Sequence, residues 1–129
     1  DIELKAHKIR KKVVDLARKN GKTVIVSYHN FNRMPSDREL HNLSRSEVKA
    51  GADIVKIACA AKRESDSAKM LKFCMKWRKT PITVMAMGKN GRFSRIAGFM
   101  AGSCLNYGYI KKSAAPGQLS IKELVTIID

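Results

Sequence analysis

Lys56 stands in the middle of DIVKIA (53–58), an otherwise apolar, β-branched run. Alternation along a strand puts Ile54, Lys56 and Ala58 on one face and Asp53, Val55 and Ile57 on the other. In a parallel sheet both faces are usually covered. A covered amine must be paired, lose its proton or react. Desolvation and nearby cations favour the neutral amine, which attacks a carbonyl to form a Schiff base. The competing reading is a lysine that reaches out at a sheet edge or pairs with Asp53 or Asp1. His29 closes TVIVSYH (23–29). The carboxyl ends of parallel strands are where α/β proteins place function, and a histidine there suits acid–base work near neutral pH. An ordinary strand-end histidine bonding a loop is the alternative. Arg95 follows a glycine-containing loop at a helix start, a position from which a guanidinium can grip a carboxylate; otherwise it is a solvated arginine. Met85 and Met87 alternate on one strand face and read as core or pocket wall. Gln118 sits in a Pro-Gly loop, where a plain turn role is the default.

Stepping outward from these residues, the chain reads as regular alternation. Asp1–Leu4 is a short extended start, and Lys5–Asn20 carries Ile9, Val13, Leu16 and Ala17 at helical spacing. Thr23–Tyr28 is a buried strand. Ser36-x-x-Glu39 is a capping box opening a helix with Leu40, Leu43 and Val48 inward, ended by Gly51. Asp53–Ala58 is the next strand. The helix Ser65–Arg78 turns Ala68, Leu71, Cys74 and Met75 inward, and Pro81 breaks it. Ile82–Met87 is a strand, Ser94–Ser103 a short helix, Cys104–Ile110 the last strand, and Lys111–Leu119 a loop holding Pro116-Gly117. Ser120-x-x-Glu123 opens a final helix with Ile121, Leu124, Val125 and Ile128. Five strands alternating with five helices predict an α/β domain with a parallel sheet and right-handed crossovers, either an open doubly wound sheet or part of a (β/α)8 barrel. No GxGxxG or GxxxxGK[ST] follows a strand, so nucleotide-binding fingerprints are absent.

Composition narrows the classes. With 129 residues, 44% apolar and 29% charged, the chain is one domain and neither collagen, low-complexity disorder nor a disulfide miniprotein. No apolar run approaches the roughly 20 residues that span a bilayer, and no signal peptide opens the chain. Cys59, Cys74 and Cys104 are isolated, odd in number and set in apolar stretches, which reads as reduced core residues in a cytoplasmic protein. His7, His29 and His41 have no ligand spacing with them, so no metal site is expected. The 26 Lys and Arg outnumber the 11 Asp and Glu for a net charge of +15, and no acid stands between Ser67 and Lys122. Such a surface attracts anions, but no zinc-finger, RRM or KH pattern accompanies it, and nucleic acid is not the favoured partner. A solvated helix face, or one pairing with an acidic surface outside this chain, is the simpler reading.

Taken together, VIVSYHNF (24–31) with Pro35, GADIVKIA (51–58), ITVMAMG (82–88), SRIAGFMAGSCLNYGY (94–109) and SAAPGQLSIKEL (113–124) resemble type I 3-dehydroquinate dehydratase, the Schiff-base enzyme of the shikimate pathway in aromatic amino acid biosynthesis. The resemblance begins with DIEL at 1–4 and covers nearly the whole chain. It implies a (β/α)8 TIM barrel that dehydrates 3-dehydroquinate to 3-dehydroshikimate, with no metal or organic cofactor. Lys56 falls on the imine-forming lysine, His29 on the general acid/base, Arg95 on the arginine that grips the substrate carboxylate, and Gln118 on a glutamine of a closing loop. Two departures stand out. Asn30 replaces an aspartate, and the loop serine falls at Ala114 with Ser113 one residue early.

A (β/α)8 enzyme needs about 250 residues, and about 200 at the low end. The chain therefore reads as strands four to eight, the C-terminal part of such a barrel, and it opens on Asp1 rather than Met. The missing strands are expected to take with them the glutamate that orients the histidine, leaving Asp1 or Glu3 a minor electrostatic role. Five parallel strands cannot close a small barrel. The open edges are expected to meet the missing N-terminal segment or another copy of the chain. Feeble turnover is expected of the 129 residues alone. The readings that compete with the dehydratase are a non-catalytic basic remnant binding polyanions and another Schiff-base barrel enzyme such as a class I aldolase.

Overall fold

A computed structural model of the chain describes residues 1–115 and 117–128. Pro116, read above as part of the loop, lies outside them. Four strands, β1 (Ile2–Glu3), β2 (Ile25–Asn30), β3 (Ile54–Ala60) and β4 (Ile82–Met87), form one all-parallel sheet in sequential order. The helices α1 (Arg10–Lys19), α2 (Asp37–Lys49), α3 (Glu64–Lys76) and α4 (Arg92–Met100) follow the strands in turn, and α5 (Ile121–Ile128) ends the series. The α/β class and the parallel sheet are as expected. Among the described residues no helix is long and apolar enough to cross a membrane.

Register divides the sheet cleanly. Tyr28, Ile57 and Val84 stand side by side, and with Val55, Cys59 and Ala86 they bury against Leu40 of α2 and Met70, Leu71, Phe73 and Cys74 of α3. Val24 and Val26 meet Val14 of α1 on the same face. Most of the buried apolar side chains of β2–β4 thus go to the helices, Met85 and Met87 excepted. The opposite face carries the rows Glu3–Ser27–Lys56–Thr83 and His29–Ala58–Met85. Sequential parallel strands with helices on one face only make an arc of wall, not a doubly wound sheet.

Several boundaries and stripes differ from expectation. Residues 4–9 form turns closed by Ala6 N–H to Glu3 and Arg10 N–H to Ala6, so α1 starts at Arg10 rather than Lys5. It docks through Val14, which leaves Ile9, Val13 and Leu16 exposed. In α2 the capping box of Ser36 and Glu39 is present, yet Glu47 is buried and Val48 is exposed. In α3 the inward positions are Ser67, Met70, Leu71, Phe73 and Cys74, while Ala68 and Met75 face outward. Asp66 anchors that helix by accepting the N–H groups of Lys62 (2.9 Å) and Arg63 (3.1 Å).

The strand expected at Cys104–Ile110 does not form. Ser103 bridges Ile82 and the Cys104 N–H reaches the Ile82 carbonyl at 2.8 Å. At the next residue the Thr83 hydroxyl accepts the Leu105 N–H and donates to its carbonyl, both at 2.9 Å. A side chain thereby takes both backbone groups the ladder needs, and pairing stops. Tyr109 instead pairs with Ser120, at the start of α5. The second capping box is formed, with Ser120 N–H donating to Glu123 at 2.8 Å and Glu123 N–H donating to Ser120 at 3.1 Å.

Candidate active site

A cleft of about 230 Å³ opens over the face of the sheet that carries no helices. Its base comes from the strands. Lys56 and Ala58 lie two apart on β3, Met85 and Met87 two apart on β4, and His29 stands beside Ala58 near the carboxyl end of β2. The side-chain period of two makes this gathering automatic once register is set. Met85 and Met87 are buried and form the wall with Tyr107.

The Lys56 side chain is only 12% exposed. Its Nζ donates to Asp1 Oδ2 at 2.6 Å and sits 4.5 Å from the centroid of the Tyr107 ring. Of the two acids considered from sequence, Asp1 is thus the partner. Asp53 instead accepts the Val24 N–H at 2.7 Å. The amine is held in place by a carboxylate on one side and a ring face on the other.

His29 Nδ1 lies 2.7 Å from Glu3 Oε2. A carboxylate on Nδ1 holds the ring's orientation and leaves Nε2 as the working nitrogen. The orienting partner that was expected to be missing is therefore supplied by Glu3, which the β1–β2 register sets opposite Ser27, two residues before His29. Two acids at alternate positions in and just before the short strand beside the histidine strand, Asp1 and Glu3, were the available signal. The Phe31 ring stacks near His29 with centroids 6.2 Å apart and lines the same cleft. Asn30 turns away: its Oδ1 accepts the N–H groups of Asn32 (3.0 Å) and Arg33 (3.1 Å), shaping the turn after β2.

Arg95 reaches the cleft from the first turns of α4 and is 3% exposed. Burial pulls its guanidinium below the ordinary arginine value. Its helix is fixed tightly to the end of β4. Ser94 Oγ accepts the Ala86 N–H at 2.9 Å and donates to the Gly91 carbonyl at 2.7 Å. A Cβ on Gly91 would lie 2.1 Å from the Ala86 carbonyl oxygen. Asn90 ties this loop to its neighbour by donating to the Lys62 carbonyl at 2.7 Å.

The loop after Tyr109 covers the cleft with Ala114, Ala115 and Gln118. Gln118 is a staple here. Its Oε1 accepts the Ala114 N–H at 2.8 Å and its Nε2 donates to the Tyr107 carbonyl at 3.2 Å. Gly117 permits this with φ of 72° and packs where a Cβ would lie 2.5 Å from the Gly88 carbonyl oxygen. Ser113 is not brought to the cleft; it is exposed and donates to the Ala115 carbonyl at 2.7 Å. Of the residues singled out from sequence, Lys56, His29, Arg95, Gln118, Ala114, Met85 and Met87 share one cleft. Sequence reasoning missed Tyr107 and Phe31, and gave Glu3 too little weight.

Glu47, also missed, lies behind Lys56. It is fully buried on α2, and its Oε2 accepts the Lys56 backbone N–H at 3.2 Å. Burial pushes its carboxyl up to about 9, so it is protonated at neutral pH. Among the described residues no group of three or more His, Cys, Asp or Glu could hold a metal ion.

Comparison with known proteins converges on one group. The family model described as "Type I 3-dehydroquinase" matches residues 1–129. A 3-dehydroquinate dehydratase of Hydrogenobaculum sp. (strain Y04AAS1) is 39% identical over 127 residues, covering 98% of this chain and 58% of its own length. One from Methanosarcina acetivorans is 39% identical over 134 residues, covering 100% of this chain and 55% of its own. The crystal structure of the 3-dehydroquinate dehydratase from Geobacillus kaustophilus superposes with a TM-score of 0.92 at 29% identity, over 99% of this chain and 51% of that one. The type I enzyme of Clostridium difficile, solved with a covalently modified comenic acid, gives 0.90 at 34% identity over 99% and 52%. The chain spans about half the length of the curated relatives it matches.

Proposed function

The chain belongs to the type I 3-dehydroquinase family, and from that premise we propose that it supplies the catalytic half of a dehydratase converting 3-dehydroquinate to 3-dehydroshikimate in the shikimate pathway. The observation that carries this reading is the single cleft holding Lys56, His29 and Arg95 beneath a glycine-bearing loop, with Glu3 on His29.

The chemistry follows from the side chains. Once Lys56 has given up a proton, its amine adds to the substrate carbonyl, and loss of water gives the protonated imine. The imine withdraws electrons, so the adjacent C–H becomes acidic, and His29 takes that proton. The electron pair then expels the β-hydroxyl, to which His29 returns the proton, and water leaves. Hydrolysis of the conjugated imine frees the lysine and the product. Water is the only co-reactant, and no metal or organic cofactor is needed. Arg95 pairs with the substrate carboxylate, Met85, Met87 and Ala58 wall the ring, and the loop with Ala114 and Gln118 limits water entry. With Ala114 in the loop, a hydroxyl contact falls to Ser113 only if the loop shifts; its loss weakens binding by about 0.5–1.5 kcal/mol.

We propose further that the whole chain is one α/β unit, strands four to eight of a (β/α)8 barrel. In this reading 104–110 runs as the last wall segment despite its broken ladder. Support comes from sequential parallel strands with helices on one face, and from the outer edge of β1, without a neighbour among the described residues, beside the exposed Ile9, Val13 and Leu16 of α1. The partners of that edge are the missing barrel segment or another copy of the chain. A cytoplasmic location belongs to the same reading, supported by three free cysteines; Cys59 and Cys74 are in the core as expected, whereas Cys104, expected there too, is exposed where the chain leaves the ladder. The test is reduction with borohydride in the presence of 3-dehydroquinate, followed by peptide mapping of the intact polypeptide. The expected result is a covalent adduct on Lys56 that Lys56→Ala lacks; an unmodified Lys56 in an active preparation would overturn the reading.

A further inference from the structure

We propose that the groove between α1 and α2, on the helix side of the sheet, is a binding site for a small organic anion, a carboxylate or phosphate carried on an apolar or aromatic body. The groove encloses about 460 Å³, twice the volume of the cleft, and falls in the range of about 300–1,000 Å³ typical of ligand sites. Its floor is apolar, made by Leu4, Leu43 and the Tyr28 ring, and its rim is cationic, made by Lys5, Arg10 and Lys49.

Three observations give the site its chemistry. No acid lines the groove, and among the described residues none of these three cations forms an ion pair. Acids on the neighbouring elements have other partners: Asp15 pairs with Lys11, Glu39 with Arg33 and Glu3 with His29, and the buried Glu47 accepts the Lys56 N–H. Arg10 is positioned beforehand, because its guanidinium donates to the Leu4 carbonyl at the groove wall, which lowers the ordering cost of binding. Lys5 holds its Nζ 4.8 Å from the Tyr28 ring centroid, so a positive charge hangs directly over the apolar floor. An anion on the rim and an apolar body on the floor satisfy both features. A phosphodiester chain would use the rim and leave the floor uncovered. Leu4 follows Glu3 and Tyr28 precedes His29, so β1 and β2 separate this groove from the cleft by a single layer of backbone.

The test is a backbone-amide NMR titration of the intact polypeptide with 3-phenylpropionate, phenyl phosphate and the uncharged 3-phenylpropionamide. The expected result is saturable shifts at Lys5, Tyr28 and Ser46, with the amide at least tenfold weaker. Lys5→Gln with Arg10→Gln, and separately Lys49→Gln, should each weaken binding at least fivefold with an unchanged circular-dichroism spectrum. A response to only one of the two anions keeps the site and assigns its headgroup. Equal binding of the amide, indifference to the glutamine variants, shifts centred on Lys56 and Met85, or binding of heparin without any response to the small anions would each overturn the proposal.

Discussion

At the scale of single residues, the decisive pair is His29 and Glu3. A neutral imidazole can act as a base only if the nitrogen facing substrate lacks its proton, and the carboxylate at 2.7 Å from Nδ1 selects that tautomer. In the active barrel, Glu3→Gln is expected to lower kcat by up to about 10⁴-fold, the loss that follows when an orienting carboxylate is made neutral in a hydrolytic triad. KM should change little, because Glu3 touches the histidine rather than the substrate. Steady-state kinetics on a variant with an unaltered melting temperature checks this. Glu47 makes a second prediction, of stability rather than activity. Its folded carboxyl titrates near 9, far above an unfolded glutamate at about 4.3. The folded state keeps a proton that the unfolded state releases, so this contribution is fully present below about pH 4 and is lost as pH rises toward 9. Glu47→Met should therefore be more stable than the parent at pH 8 by on the order of 1–3 kcal/mol, and the gap should narrow at pH 5. Urea unfolding at the two pH values measures it, and parallel curves would discard the assignment.

At the scale of elements, the site depends on how tightly α4 abuts β4. Arg95 can lie over the strand ends only because Gly91 lets the helix start against the Ala86 carbonyl, with Ser94 bonded to both sides of the junction. A methyl group cannot fit at 2.1 Å from that oxygen. Gly91→Ala should destabilise by about 1–3 kcal/mol through forced displacement of the helix. It should also raise KM more than it lowers kcat, since it is the carboxylate grip that moves. Calorimetry and kinetics on the same preparation separate the two effects. A separate contact ends the sheet after α4, where the Thr83 hydroxyl occupies both backbone groups of Leu105.

At the scale of the whole molecule, four hydrogen-bonded strands make a wall segment in which, among the described residues, β1 has no neighbour on its outer edge. Next to it α1 exposes Ile9, Val13 and Leu16. Open parallel edges and apolar stripes are surfaces that chains cover by pairing or association. The 129 residues expressed alone are expected to associate in a concentration-dependent way. Turnover is expected to stay at least a hundredfold below that of the chain joined to completing strands. The reason is no longer a missing partner for His29, which Glu3 supplies; it is the open half of the cleft. Light scattering and an enone-absorbance assay on both forms decide it, and a monodisperse, fully active monomer would refute the expectation.

The amino-acid sequence by itself determined the α/β order, the capping boxes of Ser36 and Ser120, the placing of Lys56 with Ala58 on one face of its strand, and that of Met85 with Met87 on one face of theirs. These follow from local periodicity and from side-chain bonds within three or four residues. Only the tertiary structure decided that Glu3 would orient His29, that Asp1 would pair with Lys56, that Glu47 would be buried, and that 104–110 would leave the ladder. Each depends on register between segments far apart in the chain, or on how a helix rotates against the sheet. Neither is encoded in the spacing of residues along one element.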